Sequence, residues 1–242
     1  MDTTDDAILG GKLNLLQPKS GHRAGHDAIL LAAAAPKSML ALDLGAGVGT
    51  AGLAMLARKI AWQVTLVEID PALTELASQN AERNGFANSV RIVRGDVTQS
   101  IALPMDAFDL VIMNPPFNDG ASLQASPDAT RARAHVGGDS MTERWILRAA
   151  RHCKSGGTLT IIHRPEATLP ILKSLDGRFG AIEIIPVFPK PDANAIRLIV
   201  RAIKGRKTPT QMLPGITLND KDGKPTEAAE HILREGASLF GE

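Results

Sequence analysis

The chain contains no tyrosine, two tryptophans and six phenylalanines among its 242 residues. A function that stacks rings on a flat ligand therefore has few side chains to draw on. A single cysteine, Cys153, excludes an internal disulfide framework and suits a reducing compartment. Long apolar runs are also missing. The longest, Ala28 to Ala35, stops at Pro36, well short of the ~18 residues that a membrane-spanning helix needs. Met1 to Asp6 is acidic and polar, unlike a signal or transit peptide. The six histidines are scattered without metal-ligand spacing, so no metal is expected. These absences lead to the expectation of a cytoplasmic protein without a membrane partner.

What is present is a hydrophobic content of 44%, enough to bury a sizeable core. The length predicts one domain over 1–242: an arm and helix in 1–38, a core in 39–205 and an extension in 206–242. The formal charge of +1 hides local imbalance. Lys190, Arg197, Arg201, Lys204, Arg206 and Lys207 face only Asp192, and five arginines between Arg131 and Arg151 face Asp139 and Glu143. Each run alone is also what a solvated face looks like. Two on one chain shift the balance toward a polyanion.

From residue 39 the chain alternates apolar strand patterns with helical ones, which predicts an α/β fold with a mostly parallel sheet. Strands are expected at Met39 to Leu44, Gln63 to Glu68, Val90 to Val93, Phe108 to Met113 and Thr158 to His163. Two closing strands are expected at Ala181 to Ile185 and Ala195 to Ile203. Helices are expected at Ala51 to Lys59, from Pro71 to Asn84, and at Thr142 to Cys153. Asn118 to Gly138 lacks periodicity and reads as a long loop.

Chemistry gathers at the strand ends. Asp43-Leu44-Gly45-Ala46-Gly47-Val48-Gly49-Thr50 joins a strand to a helix through glycines that let a ligand approach the backbone. A dinucleotide fingerprint wants Gly or Ala where Thr50 stands. Asp43 would repel a pyrophosphate and welcome an ammonium, so S-adenosylmethionine fits better than NAD. Glu68 ends the next strand, where a carboxylate accepts from a ribose diol in either cofactor. Asp96 follows the third strand, placed to accept from an adenine amino group, with the Val97 N–H toward the ring. A lone Asp after a strand also serves as a turn residue.

Asn114-Pro115-Pro116-Phe117 closes the fourth strand. As plain structure it is a stiff turn. As chemistry, the Asn114 side-chain oxygen and the Pro115 carbonyl accept both hydrogens of an exocyclic amine. That favours pyramidal nitrogen and directs its lone pair at a sulfonium methyl group. Proline fixes φ near −65° and adds no donor, while Phe117 stacks on the flat substrate.

Together these motifs resemble class I S-adenosylmethionine-dependent methyltransferases acting on planar nitrogens. Gln17 to Leu31, with Gly25-His26-Asp27 opening a helix, is similar to the segment ahead of the fold in bacterial tRNA1(Val) adenine(37)-N6 methyltransferases. Thr130-Arg131-Ala132-Arg133 and the stretch Thr226 to Phe240 also resemble that family. The resemblance implies a Rossmann-like sheet of seven strands, the last antiparallel, with helices on both faces. It implies S-adenosylmethionine held at Asp27, Asp43, Gly45, Gly47, Gly49, Glu68, Asp96 and Val97, and chemistry at Asn114, Pro115, Pro116 and Phe117. Arg131, Arg133, Lys190, Arg197 and Lys204 are expected to touch the phosphates of a structured RNA, tRNA above all. The implied reaction is N6-methylation of an adenine at or beside the anticodon. Methylation of an rRNA guanine N2, or of a protein glutamine amide, would use the same turn. A cofactor-binding RNA module without catalysis is a different class, and the intact Asn114 to Phe117 motif argues against it.

Overall fold

A computed structural model describes residues 2–19, 25–117 and 141–240. The expected loop from Asn118, together with Arg131 and Arg133, lies outside the described residues. Strands β3 (Ser38–Leu44), β4 (Ala61–Glu68), β5 (Val90–Arg94), β6 (Phe108–Met113) and β7 (Cys153–His163) run parallel. Strand β9 (Arg197–Lys204) is antiparallel to both β7 and β8 (Phe179–Phe188). The antiparallel closing strand is where the resemblance implied it. Two short strands, β10 (Gln211–Met212) and β11 (Ile216–Thr217), add to β8, so that among the described residues the sheet has nine strands in place of seven. Two-residue strands carry no periodicity, so the sequence offered no signal for them.

Period-two alternation divides the sheet's side chains between two cores. Leu110 and Ile112 of β6 join Ala41 of β3 under α1 (His26–Ala34), α2 (Thr50–Ala57) and α3 (Pro71–Arg83). Val111 and Met113 join Leu42 and Leu44 on the opposite face. There they meet Trp145, Ile146 and Ala149 of α4 (Met141–His152) and Ile171 and Leu175 of α5 (Thr168–Leu175). Both faces are covered, which is why β6 reads as an almost continuous apolar run.

The expected N-terminal arm is an antiparallel hairpin, β1 (Thr3–Ile8) with β2 (Leu13–Pro18). Its first strand, Thr3-Thr4-Asp5-Asp6-Ala7-Ile8, is too polar to announce itself. The hairpin is fastened by Asn80 of α3, which is fully buried. Asn80 Oδ1 accepts from Leu16 N at 2.7 Å, and its Nδ2 donates to Leu16 O at 3.0 Å and Val48 O at 3.1 Å. One side chain thus ties the hairpin to the glycine loop. The C-terminal stretch forms a short helix, α6 (Glu227–Glu230), continued by a π turn over His231–Glu235.

Strand order β7-β6-β3-β4-β5 reverses direction beside β3. In open α/β sheets, ligands bind at the carboxyl ends of the strands at such a point.

Candidate active site

Sheet register assembles the site. Leu44 of β3 pairs with Val67 of β4 and Met113 of β6. The glycine loop therefore leaves the sheet between Glu68 and Asn114. Glu68 pairs with Arg94, two residues before Asp96, and Met113 pairs with Ile161, two residues before His163.

Two cavities meet over the loop. One, of about 450 Å³, is lined by Asp27, Asp43, Thr50 and Arg197. The other, of about 540 Å³, is lined by Glu68, Asp96, Val97, Trp145 and Arg164. Gly45, Gly47, Leu73, Asn114 and Phe117 line both. The expected cofactor and chemistry residues are thus brought to one place, Gly49 excepted. Gly49 lines neither cavity; it is the N-cap of α2, and a Cβ on it would press on Leu66 and Leu53.

Gly45 and Gly47 have φ of +72° and +57°, a region that side chains rarely adopt. A Cβ on Gly45 would lie 2.3 Å from Trp145 Cη2, whereas one on Gly47 would meet nothing within 4 Å. The first glycine lets an indole close in, and the second leaves space beside the backbone.

Glu68 is not the open acceptor that its strand-tip position suggested. Its Oε2 accepts from Gly47 N at 2.9 Å, and its Oε1 accepts from Ile69 N at 2.8 Å and Asp70 N at 3.0 Å. The carboxylate staples the glycine loop to the end of β4, and only its remaining lone pairs face a ligand. Asp70 caps α3, accepting from Ala72 N at 2.7 Å. Asp96 Oδ1 accepts from the Thr98 N–H and hydroxyl, and the Thr98 side-chain bond is the leading cause that holds its carboxyl below the usual range. It stays an ionised acceptor.

Asp43 is buried, with Oδ2 accepting from Gly52 N at 3.0 Å. Burial, assisted by the nearby charge of Glu68, pushes its carboxyl up to about 7. A buried carboxylate in a cavity wall is stabilised by a cation placed against it. This donor set fits the ammonium of an amino acid, as S-adenosylmethionine carries.

The raised value has a measurable consequence. Between the ordinary carboxylate range and pH 7 the folded free protein holds a proton that the unfolded chain releases. Its stability should therefore fall as pH rises through that window and level off above it. Ligand binding should show the opposite trend. S-adenosylmethionine affinity, followed by calorimetry, should weaken by about tenfold per pH unit below 7. Asp43→Asn should flatten that dependence, and an unchanged slope would remove Asp43 from the ammonium site.

Asn114 presents the sharpest feature. Its Oδ1 is buried and has no hydrogen-bond partner among the described residues. Thr50 Oγ1 and Trp145 Nε1, in the walls of the same cavities, are also without one. Buried polar atoms without partners cost roughly 1–3 kcal/mol each, and native proteins retain few. All three belong to residues that line these cavities. Thr50, Trp145 and Arg164 were missed in the sequence. Thr50 was read only as a departure from a fingerprint, and the other two carried no local signal.

The expected phosphate contacts fare differently. Arg197 Nε donates to Asp27 Oδ2 at 2.7 Å, so both residues form a cavity wall. Lys204 Nζ is spent on Asp106 Oδ1 and on the carbonyls of Ala150 and Cys153. Arg201 pairs with Glu183 and lies 3.6 Å over the Phe240 ring. Arg197, Arg201 and Lys204 of the basic run are thus spent on internal ties, whereas Lys190, Arg206 and Lys207 remain exposed. Of the expected phosphate contacts in that run, Lys190 alone is exposed. Among the described residues no three His, Cys, Asp or Glu side chains gather as a metal site. No described helix is long and apolar enough to cross a membrane.

A family model described as methyltransferase small domain matches residues 24–187. The chain belongs to that family. As a methyltransferase it uses S-adenosylmethionine as the methyl donor. It is 26% identical over 223 residues to the tRNA1(Val) (adenine(37)-N6)-methyltransferase of Shewanella sp. (strain W3-18-1), covering 89% of this chain and 92% of that one. It is 32% identical over 146 residues to the ribosomal RNA small subunit methyltransferase C of Citrobacter koseri, covering 60% of this chain but 36% of that protein. Among solved structures, a predicted O-methyltransferase from Agrobacterium tumefaciens superposes with a TM-score of 0.73 at 28% identity, covering 88% of this methyltransferase and 98% of that chain. A methyltransferase from Pyrococcus furiosus shares the fold with a TM-score of 0.57 at 22% identity, over 80% and 90% of the two chains.

Proposed function

We propose that this methyltransferase methylates the N6 amino group of an adenine in tRNA, at or beside the anticodon. The observation that carries the reading is the buried Oδ1 of Asn114, which has no partner among the described residues and belongs to a residue that lines both cavities. An exocyclic amine has two hydrogens to donate and a lone pair delocalised into its ring. Asn114 Oδ1 and the Pro115 carbonyl accept those hydrogens, and the nitrogen lone pair is freed for in-line attack. When bound, S-adenosylmethionine supplies an electrophilic methyl group. Asp43 and Asp27 face its amino acid end, Glu68, Asp96 and Val97 face its nucleoside, and Gly45 and Gly47 give it room. Asn114 and Pro115 would hold the nitrogen in line to accept that methyl group as the cofactor's sulfur leaves, and the surplus proton would pass to solvent. A base inside a duplex cannot reach Asn114, so the target is an extruded base, which costs least in a loop. Phe117 supports the ring.

The nearly full-length similarity to the Shewanella enzyme favours tRNA. The similarity to the rRNA enzyme keeps a guanine N2 as the second reading. Mass spectrometry of RNA from a deletion strain separates them. Loss of one N6-methyladenosine from a tRNA is expected. Loss of an rRNA N2-methylguanosine or of a methylated glutamine, with tRNA untouched, would reject adenine.

A further inference from the structure

Two arginines flank Phe117, and they differ in status. Arg197 Cζ lies 4.8 Å and Arg164 Cζ 5.1 Å from its ring centroid. The Arg197 charge is matched by Asp27, and its Nη1 donates to Ile196 O at 2.8 Å. Arg164 is exposed and forms no ion pair with a described residue. Its root is nevertheless fixed. It follows the last residue of β7, its main-chain N–H donates to His163 Nδ1 at 2.9 Å, and Pro165 comes next. The guanidinium stands in the wall that also holds Asn114, Pro115 and Pro116. A planar fork of donors, anchored at its base and without a carboxylate among the described residues, suits a phosphate.

On the adenine-in-RNA reading above, we propose that Arg164 binds the phosphodiester adjoining the extruded nucleotide. That contact would settle the base on Phe117 with its amine at Asn114. The other anion to consider is the carboxylate of the cofactor's amino acid. It shares a carbon with the ammonium, and Asp43, which suits that ammonium, lines only the other cavity, where Arg164 has no place. Arg164 shares its cavity with Glu68, Asp96 and Val97. The phosphate is therefore the substrate's.

Arg164→Ala and Arg164→Lys are compared with the unaltered chain by methyl transfer to RNA, by RNA binding over ~50–200 mM salt, and by calorimetry with cofactor. Arg164→Ala should raise KM for RNA roughly tenfold, the scale of one charge-assisted hydrogen bond, with the loss falling on KM rather than kcat. The slope of log affinity against log salt should become shallower by about one unit. Arg164→Lys should restore the salt slope but only part of the affinity, because it keeps the charge and loses the planar fork. Unchanged KM and salt slope in Arg164→Ala, with the unaltered chain active on RNA, would overturn this proposal alone. Loss of cofactor affinity would also overturn it, by moving Arg164 onto the cofactor. An unaltered chain that methylates no RNA would overturn the functional reading and this proposal with it.

Discussion

Asn114→Ala should lower turnover by about 10²–10³-fold, the loss expected when one preorganised polar contact to the reacting group is removed. Cofactor affinity should change little, because the residue addresses the acceptor amine. Stability should not suffer. Asn114 Oδ1 has no partner among the described residues, so the substitution breaks no described bond of that atom and removes a buried unsatisfied acceptor. The combination is diagnostic: a variant at least as stable as the unaltered chain, competent to bind cofactor, and nearly inert. Asn114→Asp should keep part of the activity, since a carboxylate also accepts from an amine. Single-turnover methyl transfer, calorimetry and thermal unfolding read the three quantities. Near-normal turnover in Asn114→Ala would refute the planar-nitrogen mechanism, and a large fall in melting temperature would show a structural role instead.

Gly45→Ala should be the most damaging single methyl group in the site. The residue sits at φ +72°, where a Cβ costs about 1 kcal/mol. That Cβ would also stand 2.3 Å from Trp145 Cη2 and 2.9 Å from Cζ3, so the indole must move. Overpacking of this kind costs roughly 1–3 kcal/mol. The sum, about 2–4 kcal/mol, corresponds to a drop in melting temperature of about 4–16 °C for a chain of this size. Cofactor binding should fall as well, because Gly45 and Trp145 both line the larger cavity. Trimming the indole tests the cause. In Gly45→Ala combined with Trp145→Leu, the steric part of the penalty should shrink, so the two changes should cost less together than in sum. Strict additivity would place the damage in the backbone alone.

The sequence by itself determined the parallel sheet and the positions of its strand ends. Alternation of apolar strands with helical patterns survives any tertiary arrangement, because it is what lets both faces of β3, β6 and β7 be covered. The chemistry-bearing segments at 43–50, 68, 96–97 and 114–117 were legible because each immediately follows, or ends, such a strand. Register then left them nowhere to go but side by side.

Only the tertiary structure decided which charges are spent. Asp27 and Arg197 are 170 positions apart, and Lys204 and Asp106 98 apart, so no local pattern could announce either pairing. It turned two expected phosphate contacts into wall and brace, and it left Arg164, unremarkable in sequence, beside Phe117. It also made a hairpin of a polar N-terminal strand by giving its partner strand Asn80 to hold. Periodicity records which face a residue turns inward. The partner that a side chain finds depends on where distant strands come to rest.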